Sequence, residues 1–96
     1  MTGGTATVKG FGDMDLRIAP TYSQQLREAV STGREVVADL REASYIDTAM
    51  LVALIAPART LLREGRRLKV LVAASGQPEY ALRTVGFGDL LEICAE

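Results

Sequence analysis

A chain of 96 residues has room for one compact domain, and a net charge of −1 gives it little attraction for nucleic acid or anionic lipid. Apolar residues make up 48% of the chain and charged residues 24%, the balance of an ordinary globular protein. The chain has no histidine and one cysteine, Cys94, which excludes an internal disulfide, a zinc site of histidines and cysteines, and catalysis by a histidine base.

Nothing in the sequence has the form of a signal peptide or a transmembrane helix. Residues 49–58 form an apolar run of ten residues, whereas about 20 are needed to span a bilayer. We therefore expect a cytoplasmic protein with no membrane insertion. Residues 1–4 are expected to form a flexible N-terminal tail, and residues 5–96 a single domain.

The first part of the chain predicts a strand, a helix and a second strand. Residues 6–11 alternate weakly between apolar and polar side chains, and Gly12 with Asp13 ends this strand. The first helix opens at Ala19 and Pro20 and ends at Thr32 and Gly33. Its buried stripe is expected to consist of Tyr22, Leu26, Ala29 and Val30. The run Val-Val-Ala at residues 36–38 indicates a short strand that is buried on both faces.

The second part predicts two further helices, each followed by a strand. The second helix begins at Asp47 or Thr48 and continues to Glu64, and residues 68–73 form the strand after it. The core stripe of this helix is expected to consist of Leu51, Leu54, Ile55, Ala58 and Leu62. The third helix begins at Gln77, and the last short strand covers residues 90–93. The inward side chains of the third helix are expected to be Tyr80, Ala81 and Val85.

Strands and helices therefore alternate along the chain. Short connections between alternating elements require parallel crossovers, with the sheet covered by helices. We predict one α/β domain: a small, mostly parallel sheet of four to five strands backed by three to four helices.

The start of the second helix carries two residues that can cap it. Asp47 can accept a hydrogen bond from an unpaired backbone N–H, and its charge suits the positive end of the helix dipole. The hydroxyl of Thr48 is then either a second cap or free for another function. The sequence leaves both interpretations open.

The second helix is apolar around its whole circumference between residues 49 and 58, although a helix on a sheet needs only a stripe about 100° wide. Met50, Ala53 and Pro57 fall outside the predicted core stripe. We expect them to form an outward-facing apolar line that a partner covers, with ordinary exposure of small residues as the alternative. On this expectation Met50→Asp abolishes partner binding and leaves the fold intact. Pro57 also cannot donate a hydrogen bond to the Ala53 carbonyl, so we expect either a kink there or two separate helices.

Four segments, in order, resemble the STAS domain family, which includes the bacterial anti-sigma factor antagonists. GDMD at residues 12–15 resembles the family's Gly-Glu-Leu-Asp, and EVVADLREASYID at residues 35–47 resembles its strand and loop. DTAML at residues 47–51 lies on the family's Asp-Ser-Ser-Gly-Leu signature, and LRTVGFGDLLEI at residues 82–93 resembles its closing helix and strand. The resemblance implies a STAS-like sandwich over nearly the whole chain.

The resemblance also implies a function. In the family, the first hydroxyl residue after the aspartate is phosphorylated by a partner kinase that is also the anti-sigma factor, and Thr48 occupies that position. It implies a regulatory binding module, not an enzyme and without cofactor or metal, which binds the kinase when unphosphorylated and is released by phosphorylation. The expected partner-binding residues are Asp15, Asp47, Thr48, Ala49, Met50, Ala53 and Pro57.

Three features depart from the family pattern. Ala49 replaces the second serine of the signature, Met50 replaces its glycine, and the family's first strand is missing or shortened before Gly12. The long side chain of Met50 is expected to stand where a partner's backbone approaches closely.

Other interpretations use the same residue. Asp-Thr-Ala at residues 47–49 also resembles the small STAS subunit of phospholipid-transport ABC complexes, whose threonine docks on the ATPase, and stressosome STAS proteins use a threonine as well. Each interpretation leaves room for a homodimer. For an enzyme, the chain offers only Asp13, Asp15, Asp47 and Thr48, as a magnesium-binding cluster or as acid and base, without a histidine or a phosphate-binding loop.

Overall fold

The computed structural model describes residues 4–96, in which strands and helices alternate as the sequence predicts. The elements are β1 (Thr5–Met14), α1 (Ala19–Ser31), β2 (Glu35–Ile46), α2 (Thr48–Arg63), β3 (Leu68–Val72), α3 (Gln77–Thr84), a short 3₁₀ helix (Phe87–Asp89) and β4 (Leu91–Ala95). The tail expected at residues 1–4 lies outside the described residues except for Gly4. None of the described helices has the length and apolar character needed to cross a bilayer.

All four strands run parallel, and their order across the sheet, β1-β2-β3-β4, is their order along the chain. Because parallel crossovers are right-handed, a sheet that grows in one direction receives its helices on one face. The core lies between that face and the helices, with Leu40 and Val70 from the sheet and Leu26, Leu54 and Leu82 from the helices. The predicted α/β class and parallel sheet are confirmed.

β1 is longer than the sequence predicts, because Gly12 and Asp13 continue the strand instead of ending it. The pairing with β2 absorbs them through two register shifts, and Gly12 adopts a positive φ of 61°, which glycine tolerates. Nearby, a Cβ at Gly10 would lie 2.7 Å from the end of the Met14 side chain and 2.9 Å from that of Leu40, so a larger residue there would require both side chains to shift. β1 therefore runs without a break from Thr5 past Gly12 to Met14, which pairs with Ile46 at the end of β2.

The outward face of α2 differs from the prediction. Met50 is completely buried, Pro57 is buried and Ala53 is half-buried, so the expected outward line of these three residues is wrong. The reason is that α1 packs beside α2 and covers the flank that the sheet leaves free. The second covering layer comes from the neighbouring helix, which the apolar pattern of α2 alone does not reveal.

The buried stripe of α2 is correspondingly broader than predicted. It consists of Met50, Leu51, Leu54, Pro57, Ala58 and Leu61. Ile55, expected in the core, is only half-buried, and Leu62 is 38% exposed. The face of α2 that solvent reaches freely carries Thr48, Val52, Ala56, Arg59 and Arg63.

Pro57 neither splits α2 nor lies on its exposed face. α2 is one continuous helix from Thr48 to Arg63, so the alternative of two separate helices is wrong. Pro57 lines the cleft between α1 and α2, together with Val30 and Ser31. The proline therefore belongs to the contact between the two helices.

α3 also turns a different face inward than predicted. Tyr80 is 72% exposed and Val85 is 46% exposed, whereas Pro78 and Leu82 are buried. A helix of eight residues contains only about two turns, too few for the apolar pattern to determine which face meets the sheet. Tyr22 of α1, by contrast, lies in the core as predicted.

We predict that Met50→Asp strongly destabilises the protein, contrary to the expectation from sequence. An unpaired carboxylate in place of this fully buried side chain should lower the free energy of unfolding by about 3 kcal/mol or more. Val52→Asp is the matched control on the same helix, because Val52 is 59% exposed; its effect should stay within about 1 kcal/mol. Urea denaturation followed by circular dichroism measures both variants. Equal stabilities would show that Met50 does not belong to the core.

Candidate functional site

The N-terminus of α2 lies where the carboxyl ends of the strands meet, at one edge of the sheet. Parallel strands bring three segments to this edge: the loop after β1, the turn between β2 and α2, and the loop from β3 to α3. Residues far apart in the chain become neighbours here. We call residues 46–48 the β2–α2 turn, and the candidate site is built around it.

Asp47 joins these segments. Its side chain caps α2, since Oδ1 accepts the backbone N–H of Met50 at 3.1 Å. Its other oxygen, Oδ2, accepts the backbone N–H of Leu16 at 3.0 Å, so the same carboxylate also holds the loop after β1. The backbone N–H of Asp47 donates to the Met14 carbonyl at 3.3 Å. The sequence predicted the cap, and the structure adds the two long-range contacts.

Thr48 is the first residue of α2, and it is exposed. Because Asp47 supplies the cap, the helix does not require the Thr48 hydroxyl, and of the two interpretations left open above the free hydroxyl is the one that fits. An anion added at this position would face the positive end of the helix dipole, where backbone N–H groups stabilise negative charge. Thr48 is thus exposed, and the cap of α2 does not depend on its hydroxyl.

The Asp15 carboxylate interacts with Arg17, two residues further along the chain. Its Oδ2 pairs with the Arg17 guanidinium at 2.8 Å, and its Oδ1 accepts the backbone N–H of Arg17 at 3.0 Å. The side-chain hydrogen bond from Arg17, followed by the backbone one, lowers the pKa of the Asp15 carboxyl below its ordinary value. Asp15 is therefore ionised and helps to shape the loop after β1, while its charge is paired with Arg17.

The acidic residues do not gather into the cluster considered for an enzyme. Asp13 accepts a hydrogen bond from the Ser44 hydroxyl at 3.3 Å, Asp15 forms an ion pair, and Asp47 binds backbone N–H groups. Within residues 4–96, no group of three or more His, Cys, Asp or Glu side chains is placed to hold a metal ion. The arrangement gives no support to a magnesium-dependent reaction at Thr48.

Two exposed apolar residues lie near Thr48, and the sequence interpretation missed both. Leu16 is 69% exposed and is held beside Asp47 by its backbone hydrogen bond. Val52 is 59% exposed and lies one helical turn after Thr48. A helical wheel centred on Thr48 would have indicated Val52. Leu16 could be found only from its contact with Asp47, which lies 31 positions further along the chain.

The residues predicted to bind a partner separate into two groups. Thr48 is exposed, and Asp15, Asp47, Ala49 and Ala53 are half-buried. Met50 and Pro57 are buried, Met50 completely and Pro57 in the cleft between α1 and α2, so neither presents an exposed side chain to a partner. The first group surrounds the start of α2, and its participation in binding stays a prediction.

The β2–α2 turn is also held from α3. The backbone N–H of Ile46 donates to Oε1 of Gln77 at 2.8 Å, and Nε2 of Gln77 donates to the Ile46 carbonyl at 3.0 Å. The sequence interpretation used Gln77 only as the start of a helix. No local pattern indicates the contact, because the two residues are 31 positions apart.

A comparison with known protein families identifies the family of this chain. A family model described as "Mlab, STAS domain" matches residues 1–92. The chain belongs to the STAS domain family. The resemblance of the four sequence segments is thereby confirmed. No curated protein sequence matches this STAS domain significantly.

Solved structures with the same fold include anti-sigma factor antagonists. SpoIIAA in its unphosphorylated form gives a TM-score of 0.70 at 18% identity, covering 96% of this STAS domain and 80% of that chain. A Thermotoga maritima protein assigned as an anti-sigma factor antagonist gives 0.80 at 10% identity, with coverages of 96% and 80%. The Bacillus cell fate determinant SpoIIAA in its phosphorylated form gives 0.67 at 17% identity, with coverages of 96% and 84%. At these identities the likeness establishes the fold.

We predict that Asp47→Ala lowers the free energy of unfolding of the STAS domain by about 1–2 kcal/mol, because α2 loses its cap. Asp47→Asn is the matched variant: its amide oxygen can still accept the Met50 N–H, but its NH₂ group cannot accept the Leu16 N–H. Amide hydrogen exchange should therefore accelerate at Leu16 in both variants, and at Met50 only in Asp47→Ala. NMR measures both amides, and unchanged exchange at Leu16 would contradict the second function of Asp47.

Proposed function

We propose that this STAS domain is an anti-sigma factor antagonist that a partner kinase switches by phosphorylation at Thr48. It works in the cytoplasm and has no catalytic activity of its own. The unphosphorylated domain binds the kinase, which is also the anti-sigma factor, and so frees the sigma factor; phosphorylation releases the domain. The observation that carries the proposal is that Thr48 is exposed at the start of α2, where Asp47 supplies the cap and the exposed residues Leu16 and Val52 lie nearby.

The proposed binding surface, here called the Thr48 surface, consists of Leu16, Thr48, Ala49, Val52 and Ala56. Leu16, 69% exposed, and Val52, 59% exposed, supply apolar area near Thr48. Grouped apolar side chains on the outside of a small domain are typical of a contact with another protein. The Asp47 carboxylate fixes the loop after β1 relative to α2, so the surface is pre-formed.

Phosphorylation of Thr48 would change this surface without opposing the fold. A phosphate adds about −1.5 to −2 charges, and at a helix N-terminus the backbone favours such an anion. Within a dry contact with a partner, the same charge left unpaired would cost about 2–5 kcal/mol. That cost corresponds to about 30- to 4000-fold in affinity, which is enough to separate the two proteins.

The methionine that replaces the family glycine does not obstruct this surface. Met50 is completely buried, so its long side chain points away from the place where a partner approaches Thr48. The departure from the signature therefore concerns the packing of α2. It leaves the space in front of Thr48 open to a kinase.

The relatives supply further support. SpoIIAA has been solved in an unphosphorylated and in a phosphorylated form, and both forms share the fold of this domain, with TM-scores of 0.70 and 0.67. A protein with this architecture thus accepts a phosphate and keeps the architecture. This is the behaviour that the helix N-terminus at Thr48 leads us to expect here.

A transporter subunit is the second candidate. The observation that favours it is the description of the matching family model, which names Mlab and not an anti-sigma factor antagonist. Asp-Thr-Ala at residues 47–49 resembles the STAS subunit of phospholipid-transport ABC complexes, in which the threonine docks on the ATPase. The Thr48 surface would then be a permanent docking surface, as it would also be in a stressosome-type scaffold. Neighbouring genes distinguish the candidates: a kinase and a sigma factor, or a permease and a lipid-binding protein.

We predict that an anti-sigma kinase encoded in the same genome, supplied with ATP, phosphorylates the wild-type domain and Thr48→Ser but not Thr48→Ala. Thr48→Glu should bind this kinase at least about 30-fold more weakly than the wild type, because it places a charge in the contact. Mass spectrometry locates the phosphate, and titration calorimetry gives the affinities. No phosphate on residue 48, together with equal binding of wild type and Thr48→Glu, contradicts the proposal. Binding of a transporter ATPase in its place favours the second candidate.

We predict that Leu16→Asp and Val52→Asp each weaken partner binding by at least about ten-fold, because each places a charge in the apolar part of the contact. The melting temperature should stay near that of the wild type, since both side chains are exposed. Tyr80→Asp is the control: Tyr80 is 72% exposed but lies on α3, outside the Thr48 surface. A loss of affinity in Tyr80→Asp equal to that in the other two variants would place the binding surface elsewhere.

A further inference from the structure

β2 continues beyond the strand that supports it. Its pairing with β3 ends at Leu40, whereas its pairing with β1 continues to Ile46. The last residues of β2 therefore have a strand neighbour only on the β1 side. Ile46 is nevertheless 1% exposed, so its backbone groups need partners other than water.

The side chain of Gln77 takes the place of the missing strand. Its amide presents one acceptor and one donor, as a peptide unit does, and both are used on Ile46 at 2.8 Å and 3.0 Å. Alanine, leucine or a carboxylate at this position cannot supply both groups. The hydrogen-bond pattern of β2 is thus completed by a side chain from a helix.

A single peptide unit, between Ile46 and Asp47, links the contact of Gln77 to the residue before Thr48. The carbonyl of Ile46 and the N–H of Asp47 belong to the same peptide plane. The carbonyl accepts from Gln77 on one side, and the N–H donates to the Met14 carbonyl on the other. The plane is therefore fixed from α3 and from β1 together, directly before the residue that caps α2 and precedes Thr48.

The backbone segment that leads to Gln77 is itself fixed by hydrogen bonds. The segment before α3 is fixed by the Ser75 N–H, which donates to Glu79 at 2.7 Å, and by the Ala74 N–H, which donates to the Glu96 carbonyl at 3.0 Å. Gln77 is the first residue of α3, so its side chain extends from a defined position. Because Gln77 has a fixed position, its hydrogen bonds to Ile46 also fix the position of the β2–α2 turn.

We propose that Gln77 is the positioning residue of the β2–α2 turn: its amide clamps the Ile46–Asp47 peptide and thereby holds Thr48 in the geometry that a partner recognises. The part that concerns the partner rests on the proposed function. The part that concerns the clamp depends only on the contacts of Gln77 and is tested separately.

The first test needs no partner. In Gln77→Ala, amide hydrogen exchange at Ile46 and Asp47 should accelerate by at least about ten-fold, while Val70 in the central part of the sheet keeps its protection. Gln25→Ala, which removes an exposed glutamine of α1, is the matched control and should change neither amide. Unchanged protection at Ile46 and Asp47 in Gln77→Ala overturns the clamp.

A second variant distinguishes the clamp from simple loss of packing. In Gln77→Glu the ionised carboxylate can accept the Ile46 N–H but repels the Ile46 carbonyl, whereas the protonated carboxyl group supplies the donor again. Protection of Asp47, normalised to the wild type at each pH, should therefore be low at pH 7 and recover below about pH 4. Protection that does not depend on pH contradicts a role for the donor group of Gln77.

The last test links the clamp to binding. Gln77→Ala should lower the affinity for the partner by at least about ten-fold, because binding must then order the turn. The affinity of Gln77→Glu should lie between those of Gln77→Ala and the wild type. Faster exchange at Asp47 with unchanged affinity overturns the positioning of Thr48 by Gln77. If instead wild type and Thr48→Glu bind the kinase equally, the proposed function fails, and the exchange experiments still decide whether the clamp exists.

Discussion

The peptide unit between Ile46 and Asp47, with the carboxylate that follows it, is the constraint on which the rest of the site depends. Three segments fix it: β1 through the Met14 carbonyl, the loop after β1 through Leu16, and α3 through Gln77. A junction held from three directions cannot shift without breaking several hydrogen bonds, and those to Ile46 and Met50 are partly buried. The first turn of α2 therefore has a defined position on the surface, although its first residue, Thr48, is open to solvent.

The one-sided arrangement of the helices explains which residues can meet a partner. Because the strands follow one another in order, α1 and α2 lie side by side on the same face of the sheet. α2 is consequently covered on two flanks, and its solvent-facing line is the one that carries Thr48, Val52 and Ala56. The same packing takes the Met50 side chain out of the surface, so a change in the family signature becomes a change in the core.

The helix cap and the proposed switch belong to different atoms of adjacent residues. Asp47 supplies the cap and the tether, and Thr48 supplies an accessible hydroxyl that neither function requires. A charge added at Thr48 would thus act on the contact with a partner and leave the interactions that hold the turn in place. On the proposed function, this separation would let the same surface serve a reversible antagonist or a permanently docked subunit, depending on whether a kinase recognises it.

The sequence by itself determined the order of the elements, the parallel sheet and a helix cap at Asp47 or Thr48, because strand and helix periodicity and capping depend on residues close together in the chain. It did not determine which flank of α2 is covered, so Met50 and Pro57 were placed outside and Val52 was missed. It also indicated neither Leu16 nor Gln77, whose partners at the turn lie 31 positions away. Only the tertiary structure decided these features, since they arise where elements distant in the chain pack together, and no local pattern records that contact.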